Sequence, residues 1–92
     1  MGHYTIYLSL MENLILKGLQ VEIDVKVFIN LRENRNSKAI VEEDSMAVEL
    51  LESLGIPISD VGILLINDKQ ALLDQRLQNG DKVIVIPPTG GG

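Results

Sequence analysis

The residues with chemical potential in this 92-residue chain lie at its end, where Thr89-Gly90-Gly91-Gly92 follows Pro87-Pro88. Glycine has no Cβ, so a tail ending in Gly91-Gly92 can thread a channel that a bulkier sequence could not enter. Four residues reach about 14 Å at roughly 3.5 Å each. The α-carboxylate of Gly92 is then the reactive group, but ionised at neutral pH it is a poor electrophile. An ATP-using partner would have to adenylate it before anything could be attached. Elsewhere the chain has no Ser or Cys beside a His partner, no Walker-type glycine loop and no set of metal ligands. Glu42, Glu43 and Asp44 are consecutive and do not converge on one ion, and an acidic helix start explains them. Catalysis and a resident metal are therefore not expected, and His3 is assigned no role.

Such a tail needs a rigid base. Val21, Ile23, Val25, Val27, Ile29 and Leu31 alternate with Glu22, Asp24, Lys26, Phe28 and Asn30, which predicts a half-buried strand. A polar turn over residues 32–36 and a short strand from Lys38 to Val41 would complete a hairpin. A helix is expected from Asp44 or Ser45, with acidic residues in its first turn and Ala47, Leu50, Leu51 and Leu54 as its apolar stripe. Gly55 and Pro57 stop it. Extended runs follow at residues 63–67 and 82–86, the second apolar on both faces like a central strand and ended by Pro87 and Pro88.

This order predicts an α+β fold, a β-grasp roll whose mixed sheet carries one main helix on one face. The domain is placed at residues 21–88, the tail at residues 89–92 and an N-terminal extension at residues 1–20. In the extension Tyr4, Ile6, Leu8 and Leu10 alternate like a strand, while Leu10, Met11, Leu14 and Ile15 suit a helical turn. It is an extra edge element, a flexible extension, or sequence upstream of an internal start at Met11.

Eight basic and 13 acidic residues give a net charge of −5 with no basic stripe, which argues against nucleic acid. The absence of cysteine suits a reducing compartment. No secretory signal or bilayer-spanning stretch is readable, so a cytoplasmic protein without membrane contact is expected. Phe28, the only Phe, sits on the otherwise polar side of the first strand. With Ile84 and Ile86, or with Val83 and Val85 if the last strand turns its other face outward, it would form a partner-binding patch. Arg32 is a further candidate for pairing with a partner's acidic groups.

The run from Val25 to Glu33, with its Leu31-Arg32-Glu33, resembles the first strand of MoaD-type proteins. Leu77, Gly80, Asp81 and Val83, followed by Pro87-Pro88-Thr89-Gly90-Gly91-Gly92, resemble that family's ending. The likeness covers residues 21–92 and implies a ubiquitin-like sulfur carrier of the MoaD and ThiS superfamily. It further implies that Gly92 is adenylated by a MoeB-like or ThiF-like enzyme using ATP and Mg²⁺, then converted to a thiocarboxylate. Gly91 and Gly90 would give the tail access to partner active sites, and the chain itself would bind no cofactor. The implied acceptor is the molybdopterin precursor on the large subunit of molybdopterin synthase, or, in a ThiS-type carrier, thiazole synthase. A protein modifier conjugated to lysines through Gly92 is the alternative.

Overall fold

Residues 19–88 are described in the structure, a computed structural model. The expected alternation does form a strand: β1 spans Gln20–Phe28, with Val21, Ile23 and Val25 buried and Glu22 and Asp24 exposed. The strand stops before the alternation does. Asn30 Oδ1 accepts the backbone N–H groups of Arg32 and Glu33 at 2.7 and 2.9 Å, and the Ile29 N–H donates to the Glu33 carbonyl. These bonds close a turn in place of further strand. Ile29 and Leu31, expected to point inward, are consequently 47% and 85% exposed. β2 runs Asn34–Glu42 and pairs antiparallel with β1 from Phe28–Asn34 to Gln20–Glu42. Backbone pairing needs no apolar side chain, so Asn34, Arg35 and Asn36 are strand rather than the expected turn.

The helix α1 covers Ala47–Ser53 and starts later than Asp44 or Ser45. Asp44 takes a left-handed φ of 66°, and extended Met46 is the residue before the helix. The Glu49 carboxylate accepts the Met46 N–H at 3.0 Å and closes the helix start. Glu42 is therefore the last residue of β2, and Glu49 is the one acidic residue in the first turn of α1. Ala47, Leu50 and Leu51 are buried as expected, while Leu54 follows the last helical residue and is 37% exposed. Gly55, at φ 73°, ends the helix in the conformation glycine adopts without penalty.

After a 3-10 turn at Ile58–Asp60, β3 spans Ile63–Ile66 and β4 Lys69–Gln70. Asn67 and Asp68 join them with φ of 52° and 67°, the backbone of a tight two-residue hairpin. β5 spans Lys82–Ile86, as its apolar run predicts. The sheet order is β2-β1-β5-β3-β4, with β5 parallel to β1 and antiparallel to β3. Val21, Ile23, Val25, Leu64, Ile66, Val83 and Val85 meet Ala47, Leu50, Leu51 and Leu77 in one core. This is the α+β roll expected from the sequence. Its first strand begins at Gln20, and the Leu19 carbonyl accepts the Glu43 N–H at 2.7 Å. The N-terminal extension up to residue 18 and the tail at residues 89–92 lie outside the described residues.

Candidate functional site

β5 is apolar on both sides, and pairing decides which side looks outward. Val25 pairs with Val83 and Val27 with Val85, placing both β5 valines in the core at 1% exposure. Ile84 lies beside Lys26 on β1 and Leu65 on β3, and Ile86 lies across from Ile63. These residues occupy the face turned away from α1. Phe28 shares that face by alternation along β1, two residues from Lys26, whose Nζ is 5.9 Å from the centre of its ring. The outer face therefore carries Phe28, Ile63, Leu65, Ile84 and Ile86 together. Central Ile84 is 9% exposed, whereas Ile63 is 43% exposed.

Hydrogen bonds around the start of β5 hold this face in register. Asp81 accepts from Asn67 Nδ2 with Oδ1 and from the Gln78 N–H with Oδ2, both at 2.8 Å. Asn67 Oδ1 accepts the Lys82 N–H at 3.0 Å, and the Asp24 N–H donates to the Asp81 carbonyl at 3.0 Å. The β3–β4 turn and β1 thus both hold Asp81 and Lys82 at the entry to β5.

One end of the face is charged. Lys38 on β2 sits 3.1 Å from Glu22 and 4.0 Å from Asp24, and Lys38 and Asp24, together with Lys26, Asn36 and Lys82, border a shallow cleft of about 450 Å³. The hydrogen bond and charge of Glu22, reinforced by Asp24, raise the Lys38 ammonium pKa above its ordinary value. At the opposite end, Phe28, Ile29, Ile56, Pro57, Pro87 and Pro88 line a second cleft of about 400 Å³ where the chain leaves the sheet.

Phe28, Ile84 and Ile86 are thus brought together on the outer face. Arg32 sits in the β1–β2 turn with its backbone N–H bound to Asn30, off that face and exposed. Gly90, Gly91 and Gly92 lie outside the described residues. Ile63 and Leu65 were not singled out from the sequence, because Ile63-Leu64-Leu65-Ile66 reads as a run buried on both sides and carries no mark of which side is open. Among the described residues no group of three or more His, Cys, Asp or Glu is placed to hold a metal ion. Every buried polar side-chain atom among them has a hydrogen-bond partner. No helix among them is long and apolar enough to cross a membrane. What this face offers chemically is contact: an apolar surface with one edge of mixed charge, where Lys26, Lys38 and Lys82 stand with Glu22 and Asp24, and with the point where the chain departs at its other end.

Residues 19–90 match the family model described as Mut7-C ubiquitin. No curated protein sequence matches the chain. Among solved structures, the HVO 2177 protein of Haloferax volcanii is similar at 22% identity and a TM-score of 0.65, over 79% of this chain and 88% of that one. The crystal structure of SAMP1 from the same organism is similar at 24% identity and a TM-score of 0.62, over 77% of this chain and 99% of that one. The crystal structure of small archaeal modifier protein 1 of H. volcanii is similar at 21% identity and a TM-score of 0.63, over 75% of this chain and 99% of that one. These likenesses bear out the ubiquitin-like β-grasp fold and the resemblance read from the sequence.

Proposed function

The chain belongs to the Mut7-C ubiquitin family, and on that premise we propose that it is a sulfur carrier that works through the Gly92 carboxylate. The observation that supports this reading is the sheet's architecture: a central strand runs into Pro87-Pro88 at one corner of an open apolar face, and Thr89-Gly90-Gly91-Gly92 continues from it. The face docks the partner, and the tail reaches the partner's active site.

The partner is a MoeB-like or ThiF-like adenylyltransferase using ATP and Mg²⁺. A carboxylate oxygen of Gly92 attacks the α-phosphorus of ATP and pyrophosphate leaves, giving an acyl adenylate. A sulfur nucleophile at the oxidation level of hydrosulfide then adds to the carbonyl carbon, and AMP departs with the oxygen. The net change is one carboxylate oxygen replaced by sulfur. Phe28, Ile63, Leu65, Ile84 and Ile86 supply the apolar docking area, Lys26 and Lys82 face acidic groups on the partner, and Arg32 adds a cation from the adjacent turn. The carrier then delivers sulfur to the molybdopterin precursor on the large subunit of molybdopterin synthase, with thiazole synthase as the other recipient of this class. The chain supplies no catalytic side chain and works in the cytoplasm.

A second reading is favoured by the name of the structural neighbour SAMP1, a small archaeal modifier protein. In that reading a lysine amine, rather than sulfur, attacks the acyl adenylate. Intact mass separates the two after incubation with ATP, a MoeB-like enzyme and a sulfur source, beside a variant lacking Gly91 and Gly92. Replacement of oxygen by sulfur in the full chain alone supports the carrier. Isopeptide adducts support the modifier, and an unchanged mass in every mixture overturns both.

A further inference from the structure

Asn79-Gly80 is the one Asn-Gly pair in the chain, and it lies in the turn that leads into β5. The Asp81 N–H donates to the Gln78 carbonyl at 3.0 Å, and Gly80 has a φ of 85°, the conformation such a turn asks of glycine at its third position. The backbone of Glu22 on β1 binds both members of the pair. Its N–H donates to Asn79 Oδ1 at 2.8 Å, and its carbonyl accepts the Gly80 N–H at 2.9 Å. Turn and strand thus call for these two residue types side by side, a short side-chain acceptor and then a glycine. The pair carries a chemical liability. Glycine has no Cβ to shield its nitrogen, so the Gly80 amide nitrogen can attack Asn79 Cγ. A Cγ–N bond forms, the Cγ–Nδ2 bond breaks, and the Gly80 proton leaves with Nδ2 as ammonia. Water then opens the imide at either carbonyl, giving aspartate or isoaspartate at position 79. Both residues are exposed, so water reaches them and burial does not protect them.

We propose that Asn79-Gly80 is a site of spontaneous deamidation that the Glu22 backbone keeps closed, so that it reacts only when this joint between β1 and the entry to β5 opens. The attacking nitrogen is committed to the Glu22 carbonyl, and the carbon under attack is anchored through Oδ1 to the Glu22 N–H. Both bonds must break before Cγ can swing over the nitrogen. The rate in the folded chain is then the rate of the open turn multiplied by the fraction of molecules that are locally open. The two products differ in what they leave behind. Aspartate keeps an oxygen that can accept the Glu22 N–H. Isoaspartate adds a carbon to the main chain between the Cα of residue 79 and Gly80, which moves the Gly80 N–H off the Glu22 carbonyl and loosens the joint permanently. The inference stands apart from any role of the C-terminal carboxylate.

The full chain and a capped peptide of residues 77–82, which lacks β1, are incubated side by side at one pH and temperature. Peptide mapping by mass spectrometry follows aspartate and isoaspartate at position 79. Conversion in the folded chain should be at least about tenfold slower than in the peptide, because only the locally open fraction reacts. Equal rates overturn the proposal, and so does a peptide that does not convert. Asp81→Ala removes the carboxylate that accepts the Gln78 N–H and Asn67 Nδ2, and should quicken conversion in the chain roughly fivefold beyond its effect in the same peptide. Hydrogen exchange of the Gly80 amide reads the opening directly. In the unaltered chain, in Asp81→Ala and along a urea series kept below the unfolding transition, conversion and Gly80 exchange should rise in proportion. A rise in one without the other overturns the proposal. Should Asp81→Ala fail to fold, the urea series on the unaltered chain makes the same comparison.

Discussion

Val85 and Ile86 are neighbours on one strand, and the structure assigns them opposite consequences. Val85 is 1% exposed and faces the core from the middle of the sheet, paired with Val27 and Leu64. Val85→Ala removes two methyl groups, worth about 1.6 kcal/mol in transfer at about 0.8 kcal/mol each. The cavity left in a core that collapses only partly brings the total to about 2–3 kcal/mol. At about 4–8 °C per kcal/mol for a domain of this size, Tm should fall by about 10–20 °C. Ile86 is half-buried on the outer face, so it has less apolar surface to lose than Val85. Ile86→Ala should cost about 1 kcal/mol and about 5 °C. Urea and thermal unfolding followed by circular dichroism measure both variants, with equal urea m values confirming that the change lies in the native packing. Equal destabilisation by the two substitutions would refute the assignment of β5's faces, because it would mean that the outer face is as covered as the core. The same pair should behave oppositely toward a MoeB-like enzyme, with Ile86→Ala raising KM and folded Val85→Ala leaving it unchanged.

Phe28→Ala should raise the KM for that enzyme about tenfold while shifting Tm by less than about 5 °C, since an aromatic anchor at an interface center is worth more to binding than to the fold. Normal KM would remove Phe28 from the docking face. Asp81→Ala deletes the acceptors for Asn67 Nδ2 and the Gln78 N–H and should cost about 1–2 kcal/mol, read in urea unfolding. Hydrogen exchange should quicken at Lys82 and at the β3–β4 turn, and unchanged exchange there would refute the clamp. Carbon NMR of the Lys38 side chain should place its titration above the ordinary lysine range, and Glu22→Gln should bring it back. A raised lysine pKa means that its stabilising contribution is present below the ordinary value and is lost as pH climbs through the raised one. Because the side chain is 69% exposed, about 1 M salt, with a screening length of about 3 Å, should remove much of the shift.

Alternation at Val21, Ile23 and Val25, the stripe at Ala47, Leu50 and Leu51, and the doubly apolar run closed by Pro87-Pro88 fix two strands and a helix locally. Side-chain period and proline geometry act within a few residues. The order of those elements then limits the roll. Local pattern misleads where hydrogen bonds intervene: Asn30 ends β1 although Leu31 keeps the alternation, and Glu49 starts α1 although Asp44 and Ser45 look like better caps. The open face was not legible, because Val83, Ile84, Val85 and Ile86 are chemically equivalent until β1 and β3 pair with them. Ile63 and Leu65 join Phe28 only through that pairing, and Gly62 meets Pro87 and Pro88 only across it. Sequence by itself determined which segments could be strands, which helix could cover them and where the chain must leave the sheet. Tertiary structure alone decided which side of the central strand faces water and which glycine stands against the exit, because both depend on contacts between residues far apart in the chain.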